Sequence, residues 1–303
     1  MTRQDLGRQQ QARGFSLVEM VVSIVIAAIL AAGVVSYIGD SVEGYAAGAS
    51  RNKLSSAGRT VLDRLALELH NAVPNSVRTT VAEAGGNQCI EFIPFVGAST
   101  YIDPPFTGTG SDVFEMVDLN PVLHREAPAD LYAVIYSIET AALYAMPNPG
   151  PIALIDKLRD RFDSILVSDV CTDDPIVAPG LAQGVTTVCL DASHRFARRS
   201  PVQRVYIAEQ PVSFCVVDDS IYRYENYGFQ TTQCEPTTPA CLPTTAAAGR
   251  HLITNMIDNT GLQAFSVVEA SLRRNAIIAL EMNFTERGDQ VQLQHEILQR
   301  NVP

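Results

Sequence analysis

This sequence of 303 residues contains few of the patterns on which catalysis, metal capture or nucleic-acid binding depend. Its five histidines, His70, His124, His194, His251 and His295, form no H-E-x-x-H pair, which excludes the helical zinc-protease site. No serine lies in G-x-S-x-G and no G-x-x-x-x-G-K-[ST] loop is present, so neither a nucleophile elbow nor a P-loop is encoded. No two cysteines have C-x-x-C spacing, which removes zinc knuckles and thioredoxin-like motifs. The adjacent acids Asp173-Asp174 and Asp218-Asp219 read as turn formers, since sequence spacing cannot reveal a glycosidase pair.

Positive charge is scarce too: 22 basic residues stand against 33 acidic ones, for a net charge of -11. Such a body lacks the lysine and arginine footprint of a phosphate-backbone binder, and no nucleic-acid partner is expected. The one local exception, HRFARRS at 194–200, reads as a solvated loop. The acidic run SDVCTDDP at 168–175 offers oxygen ligands for calcium but lacks the D-x-D-x-D-G pattern. The expectation is therefore no catalytic residue, no enzyme activity and no resident cofactor or metal.

At 47% hydrophobic and 18% charged, the chain has the composition and the length to bury a substantial core. From Phe15 to Ile38 the only charge is Glu19, and three arginines precede the run. Twenty-four residues at ~1.5 Å each exceed a hydrocarbon core of ~30 Å. The leading arginines place the N-terminus in the cytoplasm and the body across the membrane. A carboxylate in such a run costs roughly 2.5–3.5 kcal/mol. A cleaved secretory signal with its small residues in AAILAAG, and a plain anchor, are alternatives; neither has a use for Glu19.

Helical periodicity continues beyond the apolar run. Leu54, Gly58, Val61, Leu62, Leu65 and Leu69 share one face, Arg59 and Asp63 are spaced to pair, and Pro74 ends the helix. Gly33, Gly39, Gly44 and Gly48 predict a bend or an unwound turn. After Pro74 the period becomes 2. Strands are predicted at 89–95, 113–117, 131–138, 165–168, 185–190, 204–208, 212–217, 221–224, 265–269, 276–284 and 291–298, with short helices at 152–162 and 250–258. Hairpins turn at Asp218-Asp219 and, through Gly288, at TERGDQ. The fold class is α+β, a long N-terminal helix against a largely antiparallel sheet. Six cysteines, Cys89, Cys171, Cys189, Cys215, Cys234 and Cys241, behind an export segment imply disulfides. Fifteen pairings are open, with Cys234–Cys241 the first choice because of the prolines between them.

The string Arg13-Gly14-Phe15-Ser16-Leu17-Val18-Glu19 resembles the class III leader of type IV pilins and pseudopilins. The resemblance implies cleavage between Gly14 and Phe15 by a prepilin peptidase and methylation of the new Phe15 amine. It implies three parts: a leader, 1–14; a stem, 15–72, with 15–38 in the membrane or filament core; and an exported head, 73–303, read as one domain with long insertions. Glu19 would meet the terminal amine of a neighbouring subunit, since each charge alone is expensive in lipid and a pair costs less. The segments LALELHNAVPNSVR (65–78), QCIEFIP (88–94), EQPVSFC (209–215), IYRY (221–224) and HEILQRNVP (295–303) resemble the MshO family of the mannose-sensitive haemagglutinin (MSHA) pilus system, minor pilins related to J-type pseudopilins. That implies a non-enzymatic subunit of the inner membrane, with a periplasmic head and a place at a pilus tip. Its partners would be other minor and major pilins, the prepilin peptidase and the inner-membrane assembly platform. Membership of a type II secretion tip complex is the alternative. A membrane-anchored binding or hydrolytic protein is the reading from another class.

Overall fold

The computed structural model describes residues 16–119, 130–159, 166–167, 171, 175–177, 184–235, 241–268 and 276–299. The chain divides into two compact units, Met1–Asn52 and Lys53–Pro303. Helix α1, Leu17–His70, supplies the described part of the first and the opening of the second.

In the second unit α1 buries Leu54, Gly58, Val61, Leu62, Leu65, Ala66 and Leu69, the face expected from its periodicity. Facing it are two antiparallel sheets. The first contains β1 (Arg78–Thr79) and β2 (Gln88–Phe92), with β11 (Val212–Val217), β12 (Ser220–Tyr224) and β13 (Arg250–Thr254), in the order β1-β2-β11-β12-β13. The second is β14 (Phe265–Val268), β15 (Ala276–Glu286) and β16 (Asp289–Gln299) in sequence order. Ile90, Phe92, Phe214, Ile278, Leu280, Met282 and Phe284 project from these sheets and, with the helix face, form one core.

The buried Gln88 side chain joins the two sheets. Its Nε2 donates to Phe265 O (2.9 Å), and its Oε1 accepts from Phe265 N (2.9 Å). A single amide thus satisfies both main-chain groups of Phe265 where no backbone rung joins β2 to β14. At the far end Gln299 Nε2 donates to Ala72 O (3.0 Å), tying β16 to the exit of α1.

Between β2 and β11 the chain makes a closed six-stranded barrel. Its strands are β3 (Phe95–Ile102), β4 (Ser111–Val117), β5 (Leu131–Val134), β6 (Ile152–Arg159), β9 (Val185–His194) and β10 (Arg204–Ala208), in the order β10-β3-β4-β9-β6-β5. A separate core fills it, including Phe114, Met116, Ile135, Val188, Phe196, Val205 and Ile207. Closure leaves the barrel sheet itself without free edges. The short α2 (Thr140–Ala145) follows β5, and a small ribbon of β7 (Leu166–Val167) and β8 (Pro175–Val177) precedes β9.

Several sequence expectations need correction. Residues 152–159 are strand rather than helix. β6 pairs with β5 on one side and β9 on the other, and a register shift between Ile155 and Lys157 disguises the alternation. Residues 250–254 form β13, again paired across a register shift with β12. No turn unwinds at Gly33, Gly39, Gly44 or Gly48; α1 is helical through all four, because a cost of ~1 kcal/mol per glycine is small beside the propagating ladder around it. Arg59 and Asp63 form no ion pair; the i,i+4 pair is Arg64–Glu68 at 3.4 Å. β3 carries no strong periodic signal, as Gly97, Ala98, Ser99 and Thr100 interrupt its apolar residues. Both expected hairpins form. Asp218 takes a positive φ of 54° in one, and Arg287 and Gly288 take 52° and 90° in the other, as a two-residue primed turn requires.

The disulfides are Cys89–Cys215, Cys171–Cys189 and Cys234–Cys241. Cys89 and Cys215 stand directly opposite each other on β2 and β11. Replacing both by alanine should cost about 2–5 kcal/mol, read from chemical denaturation of the full chain in detergent. Gly58 gives a second test. A Cβ there would lie 2.6 Å from Leu293 Cδ1 and 2.8 Å from the Phe284 ring. Gly58→Leu should therefore destabilise by about 1–3 kcal/mol through overpacking, whereas Gly44→Ala, which meets nothing, should not.

Candidate functional site: the N-terminal segment and the charged groups of the head

The described part of the N-terminal unit is helical, and between Leu17 and Ile38 Glu19, Ser23 and Ser36 alone interrupt aliphatic, aromatic and glycine positions. Residues 16–46 are exposed, among them Leu17, Val18, Met20, Ile24, Ile29, Leu30 and Val35. It is the one helix among the described residues long and apolar enough to cross a membrane. Two of its serines are satisfied within the helix: Ser23 and Ser41 donate to the carbonyls of Glu19 and Tyr37, each at 2.7 Å.

The helix begins with a cap that the sequence reading missed. Ser16 Oγ accepts from the Glu19 backbone N–H (3.2 Å), the first half of the S-x-x-E capping arrangement, which is readable in the sequence. Glu19 thus sits in the first turn of α1, where the helix dipole favours an anion. The dipole does not neutralise it. No lysine or arginine occurs between Arg13 and Arg51, so the turn that holds Glu19 and the turns that follow it carry no basic side chain. Gly14 and Phe15 lie outside the described residues.

The head concentrates its ionisable groups in two clusters. In the first, Glu91 on β2 is fully buried and pairs with Arg78 at 2.6 Å. Tyr227 Oη donates to Glu91 at 3.0 Å, and the Arg78 guanidinium lies 3.4 Å over the Tyr144 ring. Arg78 also donates to Gln230 O (2.6 Å) and Thr231 O (3.0 Å), fastening the segment after β12 to the sheet. Burial raises the Glu91 carboxyl above its ordinary value, opposed by Arg78 and Tyr227. Every polar atom here answers another, which describes a structural lock.

The second cluster couples helix to sheet. Arg223 on β12 donates to Glu68 of α1 (2.9 Å) and also pairs with Glu225. His251 lies 3.0 Å from Glu225. Burial alone would raise the Glu225 carboxyl, but Arg223 and His251 hold it below its ordinary value.

Neither cluster places a nucleophile beside a base, and no group of three or more His, Cys, Asp or Glu able to hold a metal occurs among the described residues. The proposed calcium run, 168–175, lies outside them except for Cys171 and Pro175, and Cys171 is in a disulfide. A depressed carboxyl contributes stability that is present above its unfolded value of 4.5 and lost as pH falls through the folded value. Glu225→Gln should therefore lower the melting temperature at neutral pH, and the gap should narrow as the pH is taken below the ordinary carboxylate value.

Residues 10–35 match the family described as "Prokaryotic N-terminal methylation motif". No curated protein and no solved structure matches the chain. The chain therefore carries a type IV pilin-like signal continuous with an exposed apolar helix, joined to an α+β body.

Proposed function

We propose that this chain is a minor pilin that helps to initiate or cap a type IV pilus of the MSHA kind, and that it has no enzymatic role. The observation that carries the reading is the isolation of Glu19. A carboxylate on an apolar helix, with no basic side chain between Arg13 and Arg51, is costly in lipid, and a cation reaching it from elsewhere lowers that cost. A prepilin peptidase cutting between Gly14 and Phe15 would create such a cation, and the methylated Phe15 amine of one subunit would meet Glu19 of the next. The matched motif, which spans these residues, supports this step.

The remaining assignments follow the same mechanism. Before assembly the precursor waits in the inner membrane with its head in the periplasm. Residues 15 to about 40 would then pack against other minor and major pilins at the assembly platform. Tip placement is supported by bulk: between Phe92 and Val212 the head inserts a whole barrel, which would crowd every repeat of a shaft.

The test is N-terminal sequencing and mass analysis of the mature chain recovered from membranes. A start at methylated Phe15 is expected; a start after Gly33 would overturn the reading. Glu19→Leu should still be cleaved but should enter fibres at least about tenfold less, the equivalent of losing ~1.4 kcal/mol. Equal recruitment would show that no amine meets Glu19.

A further inference from the structure

One pole of the barrel breaks the electrostatic pattern of the protein. The segment His194–Arg199 leaves the end of β9 and carries Arg195, Arg198 and Arg199 within five residues of a chain whose net charge is -11. Arg198 and Arg199 are exposed and Arg195 is partly so. Among the described residues, no carboxylate forms an ion pair with any of the three.

The segment is nevertheless held firmly. Phe196 is buried in the barrel core and donates its N–H to Pro105 O (2.9 Å). Gly150 N donates to Arg195 O, and Ala197 N donates to Gly150 O, both at 3.1 Å. Asn148 grips both sides, donating from Nδ2 to Ser193 O (2.9 Å) and accepting at Oδ1 from Arg195 N (3.1 Å). The His194 ring, packed on Phe196, donates to Gly150 O at 3.2 Å. The Tyr101 hydroxyl accepts from Ser200 N at 3.0 Å and closes the far end. A loop pinned on this scale presents its side chains with much of the ordering cost already met.

Beside the arginines is a hollow of about 180 Å³ whose walls include Tyr136, Pro147, Pro149, Pro151, Glu139 and Arg198. Its lining is mostly apolar, with the phenol of Tyr136, the carboxylate of Glu139 and the guanidinium of Arg198 as its polar side chains. On the other side the Arg199 guanidinium lies 4.5 Å over the Phe106 ring, which fixes its plane.

We propose that this pole of the barrel binds a carboxylate-bearing polysaccharide. Planar guanidinium forks match carboxylates two oxygens at a time. The proline-lined hollow accepts the C–H face of a sugar ring, and Glu139 accepts from its hydroxyls. A nucleic acid fits less well. The Phe106 ring is already covered by Arg199, and the half-buried Tyr136 of the hollow is a single ring rather than a row of aromatic faces on which successive bases stack. The acidic body also opposes a polymer carrying a charge every ~1.7 Å. This inference rests on the head alone and does not require the pilin reading.

The test uses the full chain in detergent micelles and an oligogalacturonate probe, with its fully methyl-esterified form and inorganic polyphosphate as the other arms. Binding of the free acid, weakening as salt is raised from about 50 to 200 mM, and loss of binding on esterification are expected. Arg195→Ala, Arg198→Ala and Arg199→Ala should each weaken binding by about tenfold and the triple variant by at least about a hundredfold. Arg198→Lys, which keeps the charge and loses the fork, should fall between wild type and Arg198→Ala. Melting temperatures should stay unchanged, because the loop is pinned through its backbone. No binding, equal binding by the triple variant or by the ester, or polyphosphate binding as tightly as the uronate would each overturn the proposal.

Discussion

The head depends on one packing event: the second half of α1 laid across two sheets that do not share a ladder. Leu54, Val61, Leu62, Leu65 and Leu69 meet Ile90, Phe92, Phe214, Leu280 and Phe284 in a single core. Neither sheet has another described helix on that face, so removing α1 would expose both together. At ~25 cal/mol per Å² of apolar surface, this contact outweighs any polar interaction in the head. The polar interactions set register instead. Gln88 aligns the two sheets, Gln299 fixes β16 to the helix exit, and Arg223 pins Glu68 to β12.

Gly58 shows how closely helix and sheet approach. With Leu293 and Phe284 under 3 Å from where a Cβ would stand, the backbone of α1 lies directly on β15 and β16. The other glycines of α1, at 33, 39, 44 and 48, face open space. The same residue type thus serves packing in one part of the helix and has no contact to explain it in the other.

What could be read from the sequence follows how locally each feature is encoded. The buried face of α1 was legible because its spacing is 3.6 and unbroken. The hairpin at Gly288 was legible because turn chemistry is local. β6 was mistaken for a helix because IALIDKLR carries a bulge that destroys its alternation, and short apolar runs do not distinguish the two periods. Barrel closure was not legible: it depends on β10 pairing with both β3 and β5, and no local signal encodes partners so far apart. At the N-terminus, Glu19 announced itself by being costly where it stands. Ser16 did not, although S-x-x-E was there to be read. The pinned geometry of 194–200 was hidden as well, since the bonds holding that loop come from Tyr101, Pro105, Asn148 and Gly150, elsewhere in the chain.

The bond between Cys89 and Cys215 bears on how the molecule carries load. It closes just below the entrance and exit of the inserted barrel, which lies wholly between these two positions. Tension entering along α1 and leaving through the later strands would pass from β2 to β11 through sulfur, bypassing the 126-residue interval. The barrel, packed through Tyr132, Val134 and Tyr206 on Val73 and Ile93, would then lie off the main path, and its deformation would not lengthen that path. A force applied to the barrel itself would reach the helix exit through its two connecting strands, which the covalent bridge holds side by side, and through Ser137, Thr140 and Tyr144, which hydrogen-bond to Asn75 and Ser76.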